Sequence, residues 1–151
     1  MKSVLVLLAA GLLVLPPKPV IWTASAARAR VAAGSTVAVQ VTATIDTGWH
    51  LYSTTQPPGG PVPTRITVVP PFTVGAMAFP KPTVRPDPNF GINVETYERA
   101  VTFTLPVQVA PGTAAGVDTV TVKARYQACN ATLCLPPQTA TLTVPVTVAA
   151  R

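Results

Sequence analysis

From Val20 onward, apolar side chains recur at every second position. In "TVAVQVTATI", Thr36–Ile45, they are Val37, Val39, Val41, Ala43 and Ile45, with mostly Thr and Gln between them. "AVTFTLPVQV", "VTVKARYQA" and "ATLTVPVTV" repeat the alternation from Val101, Val120 and Ala140. Successive side chains of a strand point to opposite faces, so this pattern specifies half-buried strands and argues against helix. Val20–Ala24, Trp49–Ser53, Arg65–Val69 and Phe72–Ala78 are shorter candidates, which brings the count to about eight strands. Turn signals such as "AAGS", "DTG" and "APGTAAG" separate them. The expected fold is all-β: an antiparallel sandwich of immunoglobulin-like type. Pro106 and Pro145 fall on the outward face of their strands, as expected at edges or bulges. Two proline-rich stretches, 54–64 ("TTQPPGGPVPT") and 80–95 ("PKPTVRPDPNFGINVE"), read as loops that their prolines keep ordered.

The N-terminus is different. One Lys is followed by an unbroken apolar run, Val4 to Leu15. That is too short to cross a hydrocarbon layer of about 30 Å, but it suits the core of a secretory signal peptide. The expected organisation is a signal peptide over 1–17, cleaved near Leu15 to Lys18, and one exported domain over 18–151. No second domain, repeat or low-complexity tail is visible. With 48% hydrophobic and 11% charged residues, the chain can bury a core despite its 18 prolines. The net charge of +6 comes from scattered residues such as Arg28, Arg65, Lys81 and Lys123. There is no basic run with interleaved aromatics, so nucleic acid is not an expected partner.

The only two cysteines, Cys129 and Cys134, lie in "YQACNATLCLPP". Three roles compete for them. A structural staple closing so short a loop removes only about 2 kcal/mol of unfolded-chain entropy, and a domain of this size does not depend on it. A zinc site needs four ligands, and His50 is the only other strong one. A blue-copper site needs two His, a Cys and usually a Met, and neither His nor Met follows Cys134. No metal or cofactor is therefore expected. Cys–His nucleophilic catalysis would use His50 as base, but no motif supplies a partner to orient it. A redox pair fits the spacing best: exchange needs a second thiol near enough to resolve a mixed disulfide. The pair falls between two strands, at an end of the sandwich that a partner can reach.

"YQACNATLCLPP", together with "GWHLYSTTQPPGGPVPT" and "NFGINVETYERAVTFTLPV", resembles the N-terminal periplasmic domain of the thiol:disulfide interchange protein family DsbD. The resemblance covers nearly all of 19–148. It implies an immunoglobulin-like domain that relays electrons between thioredoxin-like partners in the periplasm, with Cys134 attacking and Cys129 resolving. It also implies that Phe90, followed by Gly91, sits in a cap loop over the cysteines. One residue fewer separates the cysteines than in well-known members. The membrane and thioredoxin-like domains of the family are not in this sequence, so the expectation is either a carrier served by a separate membrane electron transporter or a domain cut from a larger protein. Around the pair, Tyr126 is expected to pack inward beneath the site, and Pro136 and Pro137 to stiffen the exit from the loop. Trp49 and Tyr52 are expected in core or rim packing, and Arg125 as an outward surface charge. The competing reading is a non-catalytic immunoglobulin-like interaction module with a small structural disulfide.

Overall fold

The computed structural model describes residues 15–150. Apart from its last residues, the segment expected to be a signal peptide lies outside them. Twelve strands run in the order β1 (Val20–Ala26), β2 (Arg30–Ala32), β3 (Thr36–Ile45), β4 (His50–Tyr52), β5 (Arg65–Val68), β6 (Thr73–Val74), β7 (Thr83–Asp87), β8 (Ile92–Tyr97), β9 (Ala100–Gln108), β10 (Gly116–Tyr126), β11 (Ala128–Cys129) and β12 (Gln138–Ala149). No helix occurs among the described residues. One sheet has the order β1-β3-β9-β6, a second β2-β12-β10-β5, and a third, smaller one β11-β4-β8-β7. All pairings are antiparallel except β12 with β2.

The alternation in the sequence is the alternation of burial. Val37, Val39, Val41, Ala43 and Ile45 of β3, and Val101, Phe103, Leu105 and Val107 of β9, are all buried. From the facing sheet Val120, Val122, Ala124, Val144, Val146 and Val148 join them in one apolar cluster. Trp22 lies between Phe103 and Tyr126, with ring centroids 6.3 and 5.4 Å away. This is the immunoglobulin-like sandwich expected from the periodicity. Both outward prolines sit where a strand lacks a full neighbour. Pro106 pairs with Ala38 on one side; on the other β6 pairs only with Val107 and Gln108, and the Gly75 N–H just beyond it donates to the Pro106 carbonyl at 2.9 Å, a bond that needs no N–H from the proline. Pro145 pairs with Thr119, and β2 reaches only from Thr147 to Ala149.

The stretch 80–95 is ordered, but most of it is not a loop. β7 and the start of β8 form a hairpin, in register from Thr83↔Thr96 to Asp87↔Ile92, with a tip at 88–91. Pro82, Pro86 and Pro88 hide it in the sequence. β7 is an edge strand, where a residue without an N–H costs no ladder bond on the solvent side. The tip closes with the Gly91 N–H donating to the Asp87 carbonyl at 2.8 Å, and Gly91 has φ +66°. That is the left-handed region, which glycine enters without a Cβ penalty.

Leu105 is fully enclosed between the sheets. Leu105→Ala should therefore lower unfolding free energy by about 2–5 kcal/mol in urea titration. A loss below about 1 kcal/mol would mean that the two sheets do not share this core.

Candidate functional site

The third sheet stands at one end of the sandwich and carries the cysteines. β10 ends at Tyr126, and the chain steps across into β11, whose Cys129 pairs with His50 of β4. Cys129 and Cys134 form a β-bridge with each other and a disulfide, with S–S 2.03 Å and Cα–Cα 4.1 Å. The Leu135 N–H donates to the Ala128 carbonyl at 2.9 Å, and the Asn130 N–H to the Leu133 carbonyl at 2.8 Å. These bonds flank the cysteines, which makes them a non-hydrogen-bonded antiparallel pair, the arrangement that brings opposite side chains closest.

The two sulfurs differ in access. Cys129 is fully buried, in a small cluster with Tyr52 and Val94; Cys134 packs against that cluster and is only partly buried. Tyr52 is enclosed completely, and its ring meets Phe90 edge-on at 6.0 Å. Phe90 is at the hairpin tip and 37% exposed. Its neighbour Asn89 donates from Nδ2 to the Asn130 carbonyl at 2.9 Å, tying the tip to the cysteine turn. Gly91 closes the tip. Tyr126 is buried in the main core against Trp22, rather than in the cluster around the sulfurs. Pro136 and Pro137 are exposed, between Leu135 and the start of β12. Arg125 is exposed opposite Arg65 and Thr139. Trp49 is half-buried against the main core.

Sequence reasoning missed a buried polar group beside the sulfurs. The Tyr52 hydroxyl donates to Asp87 Oδ2 at 2.6 Å, and His50 Nε2 lies 3.1 Å from that hydroxyl and 3.4 Å from the carboxylate. Tyr52 has one proton and gives it to Asp87, so His50 must donate from Nε2. Asp87 thus orients the lone histidine, which no motif had announced. Burial pushes the Tyr52 hydroxyl up, and the bond to Asp87 adds to that. Burial also raises Asp87, but the Tyr52 hydroxyl, the Asn89 N–H at 2.8 Å and His50 outweigh it and hold the carboxyl below its ordinary value. His50 is pushed below 6.5, first by burial and then by Arg85; Asp87 and Glu98 oppose this without reversing it. Arg85 is itself ion-paired with Glu98.

The stretch 54–64 is likewise bound to the site. Ser53 Oγ donates to Glu95 at 2.6 Å, and the Glu95 N–H to Gln56 Oε1 at 2.7 Å. Gln127 accepts from the Val62 N–H at 2.9 Å and donates to the Leu135 carbonyl at 3.3 Å, bridging that loop to the residue after Cys134. The Gln of "YQAC" is therefore a brace. Among the described residues, no three His, Cys, Asp or Glu side chains gather in a group that could hold a metal ion.

The sequence profile of the family described as "Thiol:disulfide interchange protein DsbD, N-terminal" matches residues 18–145. The chain belongs to this family. No curated protein sequence matches it. Solved structures of similar fold include the reduced DsbD N-terminal domain of Neisseria meningitidis, at 20% identity and TM-score 0.51 over 76% of this chain and 80% of that one. The N-terminal periplasmic domain of ScsB from Proteus mirabilis is 19% identical with TM-score 0.62, over 87% of this chain but only 48% of that one. A third is a chain in the complex between the DsbD and PilB N-terminal domains of Neisseria meningitidis, 20% identical with TM-score 0.56, over 89% and 88%.

Two predictions follow from the geometry of this DsbD N-terminal-type site. Replacing both cysteines by Ala should cost about 2 kcal/mol, the loop-entropy value for so short a ring, and leave a folded protein. A double variant unfolded at room temperature would establish the bridge as a staple. The second concerns pH. His50 binds a proton more readily unfolded than folded, so acidification favours the unfolded state. The stability it contributes is complete above about pH 6.5 and is lost progressively as pH falls below that. Asp87 also has a lowered folded value, and its contribution is lost only below about pH 3.8. Urea midpoints between pH 7 and 5 should therefore fall in the native protein and change less in His50→Gln. Equal slopes would remove His50 from the account.

Proposed function

We propose that this domain is a periplasmic dithiol–disulfide carrier, passing electrons between thioredoxin-like proteins through Cys129 and Cys134. The observation that carries the proposal is the unequal burial of one bridged pair: Cys134 partly exposed, Cys129 fully buried. Exchange needs one sulfur that a partner can reach and a second, close by, that meets no other partner. Membership of the DsbD N-terminal family supports this reading. So do the periplasmic setting of the ScsB domain and the complex formed by the Neisseria DsbD domain with a PilB domain. In the proposed cycle, reduced Cys134 attacks a partner's disulfide, forming a mixed disulfide and releasing the partner's other sulfur as a thiol. Cys129 then attacks Cys134 Sγ, the Cys129–Cys134 bond forms, and the partner leaves fully reduced. Two electrons and two protons pass to the partner at each turn. A membrane electron transporter would reload the pair through a thioredoxin-like donor, in protein-disulfide reduction such as cytochrome c maturation requires. The apolar run Val4 to Leu15 would direct export.

In this scheme Phe90 and Gly91, at the tip of the β7–β8 hairpin, form a cap. Phe90 leans on Tyr52, and Tyr52 packs on the sulfurs, so the aromatic pair screens the cysteines from small thiols. Phe90→Ala should speed alkylation of the reduced protein by a small thiol reagent several-fold, because access limits the reaction. An unchanged rate would assign Phe90 to packing alone.

The order of attack has its own test. In Cys129→Ser the mixed disulfide cannot be resolved, so a reducible complex with a thioredoxin-like protein should accumulate on a non-reducing gel. Cys134→Ser should trap much less. Trapping by Cys134→Ser alone would reverse the two roles. No complex with either variant, and a potential below about −300 mV, would favour an interaction module with a structural bridge.

A further inference from the structure

One side chain holds the turn between the cysteines. Asn130 Oδ1 accepts from the N–H groups of Thr132 at 2.9 Å and Leu133 at 2.8 Å, and from the Thr132 hydroxyl at 3.3 Å. In a tight two-residue hairpin the Leu133 N–H would bond the main-chain carbonyl of Asn130. Here the side-chain oxygen takes that N–H, and the carbonyl accepts from Asn89 instead. The remaining bonds across the turn join Asn130 to Leu133 and Leu135 to Ala128. None of them involves a sulfur.

A turn closed in this way does not need the disulfide to stay closed. We propose that Asn130 is a positioning residue for ring closure, its side-chain oxygen keeping Cys129 and Cys134 face to face while the S–S bond is open. The proposal rests on the exchange reading above and refines its second step. In that step the Cys129 thiolate attacks Cys134 Sγ. The intramolecular S–S bond forms, the bond from Cys134 to the partner breaks, and the partner's sulfur leaves as a thiolate that takes up a proton. The step is unimolecular, so its rate and equilibrium scale with the effective concentration of one sulfur at the other. Asn and Asp stabilise such turns because a short side chain with an oxygen reaches N–H groups two and three residues ahead.

The test is the equilibrium of the intact domain with reduced and oxidised glutathione, which requires no protein partner. Asn130→Ala removes the acceptor of two main-chain bonds and should lower the effective concentration of the pair about tenfold. Asn130→Asp keeps the oxygen and should restore most of it. Thr132→Ala loses only the longest contact and should match the native protein. A native-like constant in Asn130→Ala would overturn the proposal, as would equal losses in the Ala and Asp variants. Amide hydrogen exchange on the reduced native protein gives an answer even if Asn130→Ala does not fold. The Thr132 and Leu133 amides should stay protected after reduction, and exchange at random-coil rates would overturn the proposal. If the glutathione results hold while neither cysteine variant captures a thioredoxin-like protein, the carrier reading fails and the role of Asn130 in ring closure stands.

Discussion

The apolar faces of β3 and β9 bury against those of β10 and β12, and the cysteine end is built on that contact. β10 leads into Cys129 through Tyr126, whose ring is fixed in the core by Trp22. β12 takes the chain away after Pro136 and Pro137. The strand pair that bounds the cysteine turn is thus anchored at its root in the main apolar core. Close-packed interiors deform little, so the turn inherits a fixed position at the end of the sandwich. The main-chain bonds that flank the pair, from Leu135 to Ala128 and from Asn130 to Leu133, continue that anchorage up to the sulfurs.

The small third sheet solves a different problem, that of placing polar groups next to buried sulfur. Tyr52 is wholly enclosed, and an enclosed hydroxyl without a partner costs on the order of 1–3 kcal/mol. Asp87 meets that need, and it lies at the end of β7, where the hairpin tip begins. The same bond therefore satisfies the tyrosine and fixes the root of the tip. His50, on the strand beside Cys129, completes the group while staying neutral near pH 7. A neutral donor beside a carboxylate leaves one net negative charge in this buried group, oriented by three hydrogen bonds.

How much of this the sequence disclosed depends on the range of the interaction. β3 was legible residue for residue, and β9 and β12 nearly so, because a two-sided core writes its period into each strand. β10 begins four residues earlier than its alternation suggests, since Gly116 to Thr119 pair with β12 without a buried apolar stripe. β2 and β11, three and two residues long, are too short to carry a period at all. The hairpin at 83–97 was hidden by prolines, which mark an edge strand as readily as a loop. The cysteine pair was legible because its spacing is local. Its polar neighbours were not: Tyr52 and Asp87 stand 35 residues apart, and only strand pairing in the third sheet brings them together. Gln127 could have been suspected from its place in "YQAC", but its two partners lie in segments that sequence alone does not align.

What restrains the tip is small beside what anchors it. On the proposed mechanism residues 88–91 must yield when a partner approaches Cys134, while the β7–β8 ladder stays intact. Moving them breaks the edge-on contact of Phe90 with Tyr52 and the bond from Asn89 to the Asn130 carbonyl. An aromatic pair of this kind contributes about 0.5–1.5 kcal/mol and a hydrogen bond about as much, so the whole restraint is roughly 1–3 kcal/mol. That is enough to hold the open form to a minor population, on the order of one part in ten to one in a hundred. It is also little enough for a docking protein to offset with a few well-packed contacts. A small thiol makes no such contacts and meets the closed form most of the time. Selectivity for protein partners then follows from the weakness of the latch rather than its strength: a stronger one would exclude the partner along with the thiol.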